Sequence, residues 1–232
     1  MKNLKFTVVG VGPGDPELVT LKALRVIKEA DVVLIPYSPR GKVSDAEQIV
    51  LANLPDIKIT PITFPMLTDA AEREKFLLGE LKRCEDEWRG AENVVLPVIG
   101  DSALFATGSY LFDAWKKIVR DLELHLVSGL SAHQLAASRA ASFLAMGDEI
   151  LSVIPCIDDK ESIIAALRVC DTAALYKVCV LKDSLAEVVE AAGPWSTILR
   201  VDRAGLADEK IYKGAEALAP ASEYLSILLL RR

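Results

Sequence analysis

Val9-Gly10-Val11-Gly12-Pro13-Gly14-Asp15-Pro16 ends the first apolar run of the chain, Phe6 to Val9, and opens its first helical pattern. Glycines placed directly after a strand let the backbone turn sharply and approach a ligand closely. Asp15 suits a helix cap and Pro16 the first helical position. Leu18, Leu21, Ala23, Leu24 and Ile27 then recur at helical spacing. A dinucleotide-binding loop would read GxGxxG, with an acidic residue ending the second strand. Here the spacing is GxGxG with Pro13 inserted, the second strand ends in Pro36, and Asp31 lies before that strand. The pattern disfavours a nicotinamide cofactor.

Outward from this loop, short β-branched runs alternate with longer helical patterns. Val32 to Ile35, Lys58 to Phe64 and Val94 to Ile99 read as strands, the second near an edge because Pro61 interrupts it. Ser44 to Glu47 fits a capping box. Thr68 to about Trp88 and Ala103 to Val119 read as helices. The alternation restarts at Glu123 to Val127 and continues through a helix from Ser131. Strands follow at Ile150 to Ile154, Ala173 to Val180 and Thr197 to Val201, and Tyr224 to Leu230 reads as a central strand. Alternating βα units give the α/β class. The polar stretch Lys116 to Asp121 places a boundary near Arg120, giving domains of residues 1–120 and 121–232.

Composition narrows the function. At 51% hydrophobic and 26% charged, the chain reads as globular. A net charge of −6 argues against nucleic acid as the partner. No apolar run approaches the roughly 18 residues of a membrane span. Cys84, Cys156, Cys170 and Cys179 form no CxxC pair, and with only His125 and His133 beside them no metal site is expected. The reading is a cytoplasmic protein with free thiols.

Two further strand exits carry small residues: Ile99-Gly100-Asp101-Ser102, and Val127-Ser128-Gly129-Leu130-Ser131-Ala132. Ligands of open α/β sheets bind beyond the carboxyl ends of strands. Residues 9–16, 100–105 and 128–132 resemble three signature blocks of the tetrapyrrole methylases, in that family's order. Ala174-Leu175-Tyr176-Lys177, the stretch Arg203 to Glu209 and the final Tyr224 to Leu229 resemble its second-domain blocks and last strand. The wording of Pro36 to Ile49, of Leu104 to Leu111 and of Met146 to Glu149 is similar to the precorrin-2 and cobalt-factor II C(20)-methyltransferases, and residues 105–111 lean toward the cobalt-factor II type.

The resemblance implies two α/β domains with mixed, largely parallel sheets and a cleft between them, in a homodimer of cobalamin (porphyrin-type) biosynthesis. It implies S-adenosyl-L-methionine in the cleft, contacted by Pro13, Ile99, Gly100, Asp101, Leu104, Thr107, Ser131, Ala132, Tyr176, Lys177 and Ala204. Gly12 and Gly14 would face the macrocycle, cobalt-factor II or precorrin-2. Arg40 and Lys42, with Lys177 and Arg203 behind them, are candidates for its carboxylates, or else solvated loop charges. Asp15 has two open roles: catalytic, orienting the macrocycle or managing a proton, and a helix cap. Ser131 is a cap or a ligand contact. His133 lies at the cleft or, as lone histidines more often do, on the surface. The chain departs from the family where Ser102 and Ser128 stand in place of proline and Gly205 in place of threonine. A same-fold enzyme acting at another ring position or on another substrate, and a non-catalytic tetrapyrrole-binding protein, are the alternatives.

Overall fold

The computed structural model describes residues 4–39 and 44–232, and the chain divides after Ser131 into two compact units. In the first, β1 (Lys5–Gly10), β2 (Val32–Tyr37), β3 (Thr60–Thr63), β4 (Asn93–Val98) and β5 (Glu123–Val127) form one sheet, ordered β3-β2-β4-β1-β5. Every pairing in it is parallel. Parallel sheets are stable when both faces are covered, and successive side chains of a strand point to opposite faces. Val9, Val33, Ile35 and Val95 accordingly pack with Ile27 of α1 (Leu21–Lys28) and Ile49 of α2 (Asp45–Asn53). Phe6, Val8, Val94 and Leu96 pack on the other side with Leu77 of α3 (Ala70–Arg83), Trp88 of α4 (Glu85–Trp88) and Trp115 of α5 (Gly108–Lys116). The proline-bearing β3 is an edge strand, as its sequence suggests.

The divide falls later than the boundary expected near Arg120. The reason is β5, which pairs with β1 from Lys5↔Glu123 to Val9↔Val127 and so belongs to the first sheet. A charged stretch between helix and strand resembles a linker whether or not the next strand returns to the same sheet.

In the second unit, β6 (Leu151–Pro155), β7 (Thr172–Tyr176), β8 (Thr197–Asp202), β9 (Lys210–Lys213) and β10 (Ser226–Arg231) are ordered β6-β7-β10-β8-β9. Only β6 and β7 run parallel; β10 is antiparallel to both its neighbours, and β9 to β8. The apolar run Ser226–Leu230 is buried at the centre of this sheet. The helices are α6 (Ala132–Arg139), α7 (Lys160–Arg168) and α8 (Leu185–Ala192). Among the described residues no helix is long and apolar enough to cross a membrane.

Several element ends differ from the sequence reading, each for a local reason. The long helix ending at Trp88 breaks at Cys84. The helix expected from Ala103 begins at Gly108, because Phe105 takes a left-handed φ of 52°. Asp15 caps a short 3-10 turn, Pro16–Leu18, and α1 starts afresh with Thr20 Oγ1 accepting the Ala23 amide at 3.1 Å. The strand expected to reach Val180 ends at Tyr176, where Lys177 turns left-handed. No capping box forms at Ser44: its side chain makes no cap bond, and Glu47 accepts the Tyr37 hydroxyl instead. That bond, with burial, pushes the Tyr37 pKa up to about 12.

One arginine ties the second unit together. Arg232 donates through Nε to Cys170 O at 2.9 Å, through Nη2 to Leu167 O at 3.1 Å and Ala192 O at 3.0 Å, and through Nη1 to Pro194 O at 3.3 Å. It thereby satisfies carbonyls at the ends of α7 and α8 that have no partner within their helices. Its guanidinium also stacks on Trp195 at 4.3 Å. Arg232→Ala should lower the unfolding free energy by about 2–4 kcal/mol in urea titration, and Arg232→Lys should recover less than half, because an ammonium lacks the planar fork.

Candidate functional site

β1, β4 and β5 are neighbours in a parallel sheet, so their exits leave from one edge. These exits touch through main chain. Val11 N–H donates to Val98 O at 2.9 Å. Gly12 and Gly100 exchange two hydrogen bonds, at 3.2 and 2.7 Å, as a single antiparallel bridge. Both glycines are left-handed, at φ of 80° and 78°, a conformation that other residues adopt only at a cost. Gly10 and Gly129 are required for a different reason. A Cβ on Gly10 would lie 2.6 Å from both Gly100 O and Gly129 N, and one on Gly129 would lie 2.7 Å from Gly10 C and O.

Asp101 fastens the junction. Its Oδ1 accepts the Ala103 amide at 2.9 Å and its Oδ2 the Gly129 amide at 3.0 Å. One carboxylate thus joins its own loop to the loop after β5. Ser102 is buried, and its hydroxyl has no hydrogen-bond partner among the described residues. Serine therefore adds no polar contact at this position among the described residues. Asp15 accepts the Glu17 amide through Oδ1 at 3.0 Å, so the cap role is present in the fold.

The second unit has its own cluster. Tyr176 ends β7, and its hydroxyl lies 2.7 Å from His133 Nδ1 and accepts the His133 amide at 3.3 Å. His133 is buried, 9% exposed, and not a surface histidine. Burial pushes its pKa below the ordinary 6.5, so the ring is neutral near pH 7. After β8, Arg203 is left-handed and its Nε donates to Asp208 Oδ1 at 2.6 Å, which holds that carboxyl below its usual range. Glu209 Oε2 accepts the Gly205 amide at 2.6 Å and lies 3.4 Å from Arg139 Nε. The first turn of α6 is therefore bonded to the end of β7, and its last residue to the loop after β8.

Among the described residues, five non-glycine residues have positive φ, and three of them, Phe105, Lys177 and Arg203, follow β4, β7 and β8 inside the sequence blocks singled out above. Such strain persists where surroundings over-determine it, and it gathers at functional sites.

Of the residues singled out from sequence, Gly12, Gly100 and Asp101 meet at the glycine junction. Pro13 and Gly14 are buried just beyond it; Ile99 precedes it; Leu104 and Thr107 lie on the loop leading to α5. In the second unit Tyr176 and Lys177 end β7, Ala132 starts α6, and Ala204 is buried after β8. Ser131 immediately precedes α6. Arg40 and Lys42 lie outside the described residues. Sequence reasoning missed Gly10 and Gly129 as the points of closest approach, the His133–Tyr176 pair, and Glu209. The positions were in view, but Gly10 and Gly129, and His133 and Tyr176, are far apart in the chain.

Gly129→Ala should cost about 1–3 kcal/mol of stability in urea unfolding, since backbone must move to admit the methyl group. Gly79→Ala is its control: no atom lies within 4 Å of the added carbon, and the helix should gain about 0.5–1 kcal/mol. The folded-state pKa of His133 is depressed, so its contribution to stability is complete above about 6.5 and is lost as pH falls through the folded value. Unfolding titrations between pH 7.5 and 5 should show this loss, and His133→Asn should flatten the curve.

A family model described as Tetrapyrrole (Corrin/Porphyrin) Methylases matches residues 5–219. The chain is 32% identical over 227 residues to a probable cobalt-precorrin-2 C(20)-methyltransferase of Methanocaldococcus jannaschii, covering 97% of this chain and 94% of the relative. It is 28% identical over 212 residues to the cobalt-precorrin-2 C(20)-methyltransferase of Salmonella typhimurium, covering 91% and 88%. The fold matches that of a uroporphyrin-III C-methyltransferase from Thermus thermophilus complexed with S-adenosylhomocysteine, with a TM-score of 0.68, 20% identity, and coverage of 98% and 97%. Two α/β units, glycine-lined strand exits and a family match across nearly the whole chain agree: the chain belongs to the tetrapyrrole (corrin/porphyrin) methylases.

Proposed function

We propose that this chain transfers a methyl group from S-adenosylmethionine to C-20 of a cobalamin precursor, cobalt-factor II or precorrin-2. One observation carries the reading: relatives sharing 32% and 28% identity along nearly the full chain are both named for methylation at this carbon. The S-adenosylhomocysteine held by a protein of the same fold supports the choice of donor.

The described residues fit such a donor. At the junction Gly10 and Gly129 let main chain pack on main chain, and left-handed Gly100 has open space where a side chain would stand. Bound there, the donor would supply an electrophilic methyl group on a sulfonium. Displacement at that carbon needs alignment and exclusion of water more than a side-chain nucleophile. The fixed exits serve alignment. Both Asp101 oxygens already accept main-chain amides, which favours Asp101 as the residue that holds the loop rather than one that grips the donor. Direct contacts then fall to Pro13, Ile99, Gly100, Leu104 and Thr107, and to Ser131, Ala132, Tyr176, Lys177 and Ala204.

Gly12 and Gly14 would face the macrocycle, with Arg40 and Lys42 pairing its carboxylates. Arg203 is less suited to that task, because its guanidinium is engaged by Asp208. We assign Asp15 two tasks, capping the turn and orienting the macrocycle. We further place the reaction in the cytoplasm, in keeping with four free cysteines, and in a homodimer.

The test is incubation with methyl-13C-labelled donor and cobalt-precorrin-2, then NMR of the product. One enriched methyl at C-20 is expected; enrichment at another carbon assigns a different enzyme of the family. Asp15→Asn separates the two tasks, since asparagine caps as well as aspartate. Stability should change by less than about 0.5 kcal/mol while turnover falls at least about tenfold. Undiminished turnover would reduce Asp15 to a cap.

A further inference from the structure

We propose that His133 is a positioning residue for methyl-donor binding: it holds the Tyr176 hydroxyl, and so fixes the start of α6 and the end of β7 as one platform. The proposal rests on the reading of Ala132, Tyr176 and Lys177 as donor contacts.

Three observations support it. First, the contact is double. One residue engages the same hydroxyl through its amide, at 3.3 Å, and through Nδ1, at 2.7 Å, with the two rings edge-on at a centroid distance of 5.9 Å. Secondly, the two contacts are compatible. The amide can only donate, so the tyrosine oxygen accepts from it, and the same hydroxyl can donate its proton to Nδ1. Nδ1 accepts only in the neutral ring protonated on Nε2, and burial keeps the ring neutral. Thirdly, the lock sits where the backbone is strained. Lys177 follows Tyr176 directly and is left-handed at φ 57°. Tyr176 is held at its carbonyl by the Cys156 amide at 2.8 Å, in its strand by Pro155 and Ile227 on either side, and at its side chain by His133. A strained residue keeps its geometry only while its neighbours are held.

The experiment uses the full chain, titrated calorimetrically with S-adenosylmethionine and followed by steady-state kinetics. Tyr176→Phe keeps the ring and removes the hydroxyl. It should raise Kd and KM for the donor about five- to tenfold, the size expected for losing one or two buried hydrogen bonds. His133→Leu should do the same. The double variant should be no worse than either single one, because both remove one shared interaction. His133→Asn places an amide oxygen close to where Nδ1 stood and should restore most of the affinity; loss of packing alone would not be rescued so. Should His133→Leu fail to fold, Tyr176→Phe and His133→Asn still decide. Unchanged donor affinity in Tyr176→Phe, or additive losses in the double variant, overturns the proposal while leaving the functional reading intact. A wild-type chain that does not bind S-adenosylmethionine overturns both.

Discussion

Three main chains come so close at the carboxyl edge of the first sheet that a single added carbon at Gly10 or Gly129 has nowhere to go. The constraint is steric, but it sets the chemistry. Main chain packed on main chain fixes the exits of β1, β4 and β5, and backbone groups hold their positions better than side chains with free rotamers. A methyl transfer that depends on alignment gains more from such rigidity than from a reactive side chain. The rest of the first unit serves this approach. Helices cover both faces of the parallel sheet and fix the strands, Gly108 lets α5 sit against Val8, and Asp101 closes the last gap with two amide bonds.

The second unit solves the same positioning problem with different means. Its sheet is mostly antiparallel, and the loops after β7 and β8 pass through left-handed Lys177 and Arg203, the second also through left-handed Gly205. Residues with a Cβ pay for that conformation, so each must be held. Tyr176 is held by His133, Arg203 by Asp208, and Gly205 by Glu209, which Arg139 faces in turn. Both ends of α6 take part, which explains why a short helix with little amphipathic pattern carries a buried histidine in its first turn.

Much of this was legible in the sequence. The α/β class, the edge position of β3, the central position of β10 and the three glycine-bearing exits of the first unit all follow from local pattern: period, proline placement and glycine after an apolar run. The legible features share one property, that a single stretch of chain carries the signal. What was not legible depends on partners distant in the chain. The return of β5 to β1 spans more than a hundred residues and moves the domain divide. Lys210–Lys213 pairs with β8 only once the loop after Arg203 is folded. His133 looked like a surface residue because its partner lies 43 positions away. Glu47 looked like half of a capping box, and it turned instead to the Tyr37 hydroxyl.

The two designs also tolerate change differently. A glycine junction has no intermediate setting: a methyl group either fits or forces the backbone apart. A hydrogen-bonded lock can be loosened by degrees, through a weaker acceptor or a shorter side chain. Ser102 and Gly205 illustrate that division. Ser102 stands beside the junction at a buried site where its hydroxyl has no hydrogen-bond partner among the described residues. Gly205 has no side chain to bond, and the chain holds that turn by its amide, through Glu209. In the first unit geometry is preserved by what is absent; in the second the same end is reached by bonds that can be exchanged. Changes of affinity among members of this family are therefore expected to accumulate in the second unit, and losses of folding in the first.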